Sequence, residues 1–205
     1  MRSSRKRARE QATDTTSSST EPSKRWVVLL RGINVGGRNA LPMHALTSTL
    51  EAAGCTNVCT YIQSGNVVLQ REAPDASEVA AVIRRAVKDN HGMLLTVIVL
   101  NSFDLQAIAK ASPYHDEAVA DPKSVHIYFL ETAPTSPDID LLAKHKTTSE
   151  SFSLLGRALY LHAPDGLGRS KLAAVVEKAV GVAATARNAN TLSKLLEMAS
   201  SVSYP

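Results

Sequence analysis

Residues 26–39 read Trp-Val-Val-Leu-Leu-Arg-Gly-Ile-Asn-Val-Gly-Gly-Arg-Asn. The first eight predict a central strand over 26–33, apolar enough to be buried on both faces. The strand runs into a loop of Arg, Asn and Gly, and Pro42 then opens a helix at a favoured first-turn position. Strand, glycine loop and helix, in that order, offer bare backbone N–H groups to an anion.

Working outward, the helix carries Met43, Leu46, Leu50 and Ala53 on one face, and Gly54 stops it. Val58–Ile62 and Val67–Gln70 are β-rich runs around Gln63-Ser64-Gly65-Asn66, the signature of a hairpin. Ser77 begins a second helix, whose Val79, Val82, Ile83, Ala86 and Val87 form an i, i+3, i+4, i+7, i+8 stripe. Leu94–Leu100 is a further apolar strand. The order is β-α-β-β-α-β.

A short helix over Phe103–Ala111 leads through Pro113 and an acidic, polar stretch to Pro122. The order then repeats. Val125–Leu130 is a strand and Pro137–Lys146 a helix; Ser151–Leu155 and Ala158–His162 are strands around Gly156-Arg157. Lys171–Val180 is a helix with the same stripe in Leu172, Val175, Val176, Ala179 and Val180, and Ala184–Arg187 is a short last strand. A final helix carries Leu192, Leu195, Leu196 and Ala199 on one face. Each β-α-β-β-α-β run is the split βαβ, or ferredoxin-like, arrangement. The expected fold is therefore α+β: two tandem ferredoxin-like units, 25–101 and 124–205, joined by a helical linker over 102–123, with an extra C-terminal helix. One larger α+β sheet built of the same elements is the alternative.

The net charge of +4 suggests nucleic acid until it is located. Residues 1–25 hold seven basic side chains (Arg2, Arg5, Lys6, Arg7, Arg9, Lys24, Arg25) against three acidic ones (Glu10, Asp14, Glu21), which accounts for all of it. The remainder is neutral, sixteen against sixteen, so bulk electrostatics do not argue for a nucleic-acid partner. Residues 1–24 are Ser, Thr and charge with almost nothing apolar, the composition of a disordered basic tail. No run of eighteen apolar residues predicts a membrane span, and the N-terminus lacks the apolar core of a secretory signal. Cys55 and Cys59 are expected as unpaired thiols, in keeping with a cytoplasmic protein.

In a ferredoxin-like unit the first strand–helix loop and the hairpin lie at the same end of the sheet. This brings Arg31, Asn34, Gly36, Gly37, Arg38 and Asn39 beside Gln63, Ser64, Gly65 and Asn66, a set suited to a phosphate, carboxylate or base edge. The second unit offers Gly168, Arg169, Ser170 and Lys171 ahead of one helix, and Arg187, Asn188 and Thr191 ahead of another. Each cluster also has a plainer reading: Gly36-Gly37 as a tight turn, Gly168–Lys171 as a turn with a helix cap, and Arg31 paired with an internal carboxylate. Only one carboxylate, Asp165, falls in these loops, so there is no paired acid–base set or two-metal site. No metal or cofactor is expected.

The strings Leu-Leu-Arg-Gly-Ile-Asn-Val-Gly-Gly (29–37), Thr-Tyr-Ile-Gln-Ser-Gly-Asn-Val-Val (60–68), Gly-Arg-Ser-Lys-Leu (168–172) and Thr-Ala-Arg-Asn (185–188) resemble the family catalogued as domain of unknown function 1697. The resemblance covers roughly residues 25–200. It implies two ferredoxin-like domains in mostly bacterial, cytoplasmic proteins, and brings no established activity. The family usually has an aromatic residue after the Arg-Asn pair, where this chain has Ala189.

The leading expectation is a protein that binds a phosphate-bearing ligand, a nucleotide or a nucleic-acid segment, through these loops. The alternatives are a metal-independent enzyme acting on a phosphorylated small molecule, and a structural or interaction module in which the loops are caps and a latch between domains. The latch reading expects Arg31 and Arg187 in internal ion pairs.

Overall fold

A computed structural model of the chain describes residues 24–37 and 39–200. The tail up to residue 23, and the candidate ligand residue Arg38, lie outside the described residues.

The elements run β1 (Arg25–Leu30), α1 (Met43–Ala52), β2 (Thr56–Tyr61), β3 (Asn66–Gln70), α2 (Ala76–His91) and β4 (Val97–Asn101), then α3 (Ser102–Lys110) and α4 (His115–Ala120). They continue β5 (Val125–Leu130), α5 (Ile139–His145), β6 (Ser151–Leu155), β7 (Ala158–His162), α6 (Lys171–Val180), β8 (Ala184–Asn188) and α7 (Ala189–Ser200). The strands form two four-stranded antiparallel sheets, ordered β2-β3-β1-β4 and β6-β7-β5-β8. This is a mixed α+β fold consistent with two tandem units, not one larger sheet.

Every second residue of a strand faces the same way, and both faces of each sheet are covered. On the outer face of the first sheet, Val28, Leu30, Leu69 and Val99 pack on Leu46 and Leu50 of α1 and Val79 and Ile83 of α2. On the outer face of the second, Tyr128, Leu130 and Leu161 pack on Leu142 of α5 and Leu172 and Val176 of α6. The two inner faces share one core. Val27, Leu29, Ile98 and Leu100 join Ile127, Phe129 and Tyr160, with Leu105 of α3 and Leu192 and Leu195 of α7. Double coverage is why residues 26–30 read as an unbroken apolar run. Two hydrogen bonds tie the middle layer: the Tyr160 hydroxyl donates to the Ile108 carbonyl at 2.7 Å, and the Arg25 guanidinium to the Ala199 carbonyl at 3.0 Å.

Several element ends shift by one or two residues from expectation, and three differences are larger. β1 stops at Leu30, not Ile33, because Gly32 and Asn34 take positive φ (73° and 54°) and turn the chain away. β4 begins at Val97, and Leu94 is left 82% exposed. Helix α4 forms within the acidic stretch before Pro122; it buries no residue, so it has no apolar stripe to betray it, while Asp116 and Glu117 suit its first turn.

Candidate functional site

The chain after β1 makes a short finger. The Asn34 N–H donates to the Asn39 carbonyl at 3.1 Å, and Gly36 and Gly37 both have positive φ (57° and 74°), as a two-residue hairpin turn requires. A Cβ at either glycine would meet nothing within 4 Å, so conformation alone calls for glycine there. The Asn34 side chain braces the base of the finger. Its oxygen accepts from the Leu41 N–H at 2.8 Å, and its amide donates to the carbonyls of Leu41 and Gln63 at 2.9 and 2.8 Å. The Asn39 amide donates to the Gly32 carbonyl at 3.0 Å. Both asparagines also occupy left-handed backbone, which Asn tolerates better than most residues.

The finger rests against the β2–β3 turn. Gly65 is required there twice over: φ is +75°, and a Cβ would sit 2.8 Å from Leu30 Cβ and 2.9 Å from Ile33 Cδ1. Asn66 is fully buried. Its amide donates to the Tyr61 carbonyl at 3.1 Å and to Ser64 Oγ at 2.9 Å, and its oxygen accepts from Arg187 Nε.

Arg187 comes from β8 in the other sheet and is 8% exposed. A guanidinium has five N–H donors, and this one makes five bonds. Nε donates to Asn66 Oδ1; Nη1 donates to Thr185 Oγ1 (2.7 Å) and the Ala186 carbonyl (2.8 Å); Nη2 donates to the carbonyls of Leu30 (3.0 Å) and Ser64 (2.9 Å). Three of these acceptors belong to the first sheet and its turn, so Arg187 joins the two sheets. None is a carboxylate, contrary to the ion pair that the latch reading expects. With no counter-charge, burial pushes its pKa from 12.5 down to about 10.

Arg31 does meet a carboxylate, Glu177 of α6, whose other oxygen accepts from the Ala184 N–H at 2.9 Å. Both side chains are partly exposed, 45% and 39%. Glu177 lies six residues beyond Lys171, about 9 Å along the helix. The base of the finger and the Gly168–Lys171 turn thus lie towards opposite ends of α6, and no hydrogen bond or ion pair among the described residues joins them.

In the second cluster Ser170 caps α6, accepting from the Ala173 N–H at 2.9 Å, and is buried. Asn188 accepts from the N–H of Thr191 at 3.0 Å, and Thr191 is buried in turn. Gly168, Arg169 and Lys171 face solvent. Asp165 accepts from Ser149 Oγ at 2.9 Å, and His162 lies against the Tyr114 ring with centroids 6.1 Å apart. Ala189 packs against the shared core, so the place of the family's usual aromatic is a packing position here.

One residue of the rim carries no sequence signal. Ile62 has φ +47° and is 51% exposed, close to Gln63, which the finger touches through Asn34; Val35 on the finger is 63% exposed. An isoleucine ahead of Gln-Ser-Gly reads as the end of a strand, and its left-handed backbone shows only in the structure.

Among the described residues no helix is long and apolar enough to cross a membrane, and Cys55 and Cys59 are both free. No curated protein matches the chain. A solved structure described as that of conserved bacterial protein SP0830 from Streptococcus pneumoniae is similar to it, with a TM-score of 0.66 over 87% of this chain and 99% of that one. The two sequences are 20% identical, so the likeness is one of fold. The family model described as "Protein of unknown function (DUF1697)" matches residues 23–160, from just before β1 into β7, and the chain belongs to that family.

Proposed function

We propose that the protein is a cytoplasmic binding protein of two ferredoxin-like units, 25–101 and 124–205, and that its ligand bears phosphate: a nucleotide or a nucleic-acid segment. The sheet orders support the ferredoxin-like reading of each unit. The binding surface is the rim of finger and turn, with Gly36, Gly37 and Gln63 exposed and Arg31 half exposed behind them. Arg187, Asn66, Ser64, Asn34 and Asn39 support this rim from within. Gly168, Arg169 and Lys171 form a separate anion contact ahead of α6.

The observation that carries the reading is Ile62. A β-branched residue in left-handed backbone costs on the order of 1–2 kcal/mol, and half-exposed Ile62 recovers little of that by burial. Strain held at a surface is characteristic of a binding site. With Val35 it sets an apolar face for a base beside the Gln63 amide, and Arg31 can meet the phosphate.

Fluorescence polarisation of labelled nucleotides and short single-stranded RNA tests this. Wild type binds, and Ile62→Asn and Gln63→Ala each weaken binding by about tenfold, or about 1.4 kcal/mol. Arg169→Ala reports on the second contact. No binding at low salt, or binding indifferent to both rim variants, would overturn the proposal.

A further inference from the structure

A cavity of about 280 Å³ lies between the two halves of the chain, and no described residue of the finger or its turn lines it. One wall is α2 packed on β4; the other is Glu131 and Thr132 after β5, with Arg157 of the β6–β7 hairpin. Val97, Val99 and Ala80 are buried and close its floor, and half-buried Ala76 stands beside them. The flank of β4 is thus sealed, and what remains is a recess of small-molecule size.

The far wall is polar, and its charges do not cancel. Arg157 donates through Nε and Nη2 to the Leu130 carbonyl (3.4 and 3.3 Å) and through Nη2 to the Glu131 carbonyl (3.0 Å). These main-chain acceptors hold the guanidinium in place without neutralising it. Among the described residues Arg157 forms no ion pair, and its Nη1 makes no hydrogen bond. Glu131, the one carboxylate lining the cavity, is already paired with Arg84 of α2 at 3.2 Å. Two cations against one carboxylate leave a single positive charge, at Arg157. The first turn of α2 is not the anchor, because Asp75 already accepts from the N–H groups of Ser77 and Glu78. The Arg84–Glu131 pair also lines a wider cavity of about 650 Å³, so it stands where the two spaces meet. Both its side chains are partly exposed, 40% and 43%, and such a pair is held only weakly.

We propose that this recess binds a small aliphatic monocarboxylate, separately from the phosphate ligand of the rim. Its carboxylate meets Arg157 Nη1, in the planar pairing that a guanidinium favours. Its short chain lies on Ala76 and the methylene stems of the two arginines, above the valine floor. One negative charge matches the one unpaired cation. A phosphate monoester, with about −1.5 to −2 charge at pH 7, would set its excess charge beside Glu131. The volume falls below the about 300–1,000 Å³ of sites for drug-sized ligands, which limits the chain to a few carbons. Placement at the junction of two packed units is common for such sites.

The test is an NMR titration of the full chain with hexanoate, following the amides of Ala80, Val97 and Thr132. Hexanamide, neutral and nearly isosteric, and inorganic phosphate are the comparators. Hexanoate binds with a Kd of about 1 mM or tighter, and both comparators bind at least about tenfold more weakly. Arg157→Gln, whose amide still donates to the main-chain carbonyls, weakens hexanoate binding by a similar factor. Glu131→Gln, at an exposed position, strengthens it by about threefold or more, because Arg84 is released to the ligand and a like charge is removed. A purely structural role for these residues would not raise affinity, and this variant keeps the question open to test should Arg157→Gln misfold. No movement of these amides at about 10 mM hexanoate would overturn the proposal. So would equal binding of either comparator, unchanged affinity in folded Arg157→Gln, or unchanged or weaker binding in Glu131→Gln.

Discussion

Replacing Arg187 with Ala removes a side chain that donates to both sheets. The truncation strands three acceptors across the interface: the buried Leu30 carbonyl and Asn66 Oδ1, and the part-buried Ser64 carbonyl. At about 1–3 kcal/mol each for a buried group left unpaired, the loss is about 6 kcal/mol at mid-range. Against it stands the relief of a desolvated charge. Lowering the pKa from 12.5 to about 10 reflects about 3 kcal/mol, at 1.4 kcal/mol for each tenfold in proton affinity. The net expectation is a destabilisation of about 3 kcal/mol, or a fall in Tm of about 6–12 °C for a chain of this length. Urea denaturation followed by circular dichroism measures the free energy directly. A double-mutant cycle with Asn66→Ala should show coupling above about 1 kcal/mol, since the two side chains share a bond. A loss below about 1 kcal/mol, or simple additivity with Asn66→Ala, would refute the latch.

Other expectations concern single positions. Gly65→Ala, which meets Leu30 and Ile33 below 3 Å in left-handed backbone, should cost about 3 kcal/mol in a chemical melt. Gly36→Ala, with open space around it, should cost only about 1 kcal/mol. Ile62→Asn should raise stability by about 1 kcal/mol as it weakens ligand binding, because Asn accepts positive φ more readily; a drop in melting temperature would count against strain at that site. His126 is buried and held below its ordinary pKa of 6.5 by desolvation. The unfolded chain therefore binds this proton where the folded chain does not, and stability falls as pH drops below about 6.5. His126→Phe should flatten that part of the pH–stability curve.

Much of the architecture was legible in the chain. The strands Val125–Leu130, Ser151–Leu155 and Ala158–His162 and the helix Lys171–Val180 fall where periodicity puts them. The reason is that their alternation or stripe matches the faces they bury. Leu94–Thr96 misled, because apolar residues just ahead of a strand read as part of it even where, as at Leu94, the side chain stays exposed. The candidate site was legible as a location and not as a set of roles. Asn34, Asn66 and Arg187 have the chemistry of ligand contacts, and the same donors and acceptors can satisfy the protein's own backbone. Local sequence carries no information on which of the two they serve.

The sequence by itself determined the order of the strands, that of every helix but α4, and the neighbourhood of finger and hairpin, because those depend on spacings of a few residues. Tertiary structure alone decided the role of Arg187. Its partners Asn66 and Leu30 lie 121 and 157 residues away, and they meet it only because two doubly covered sheets bury their inner faces against a common core. Once the guanidinium is enclosed there, every donor must find an acceptor, and the polar motifs that look outward in the sequence turn inward to provide them.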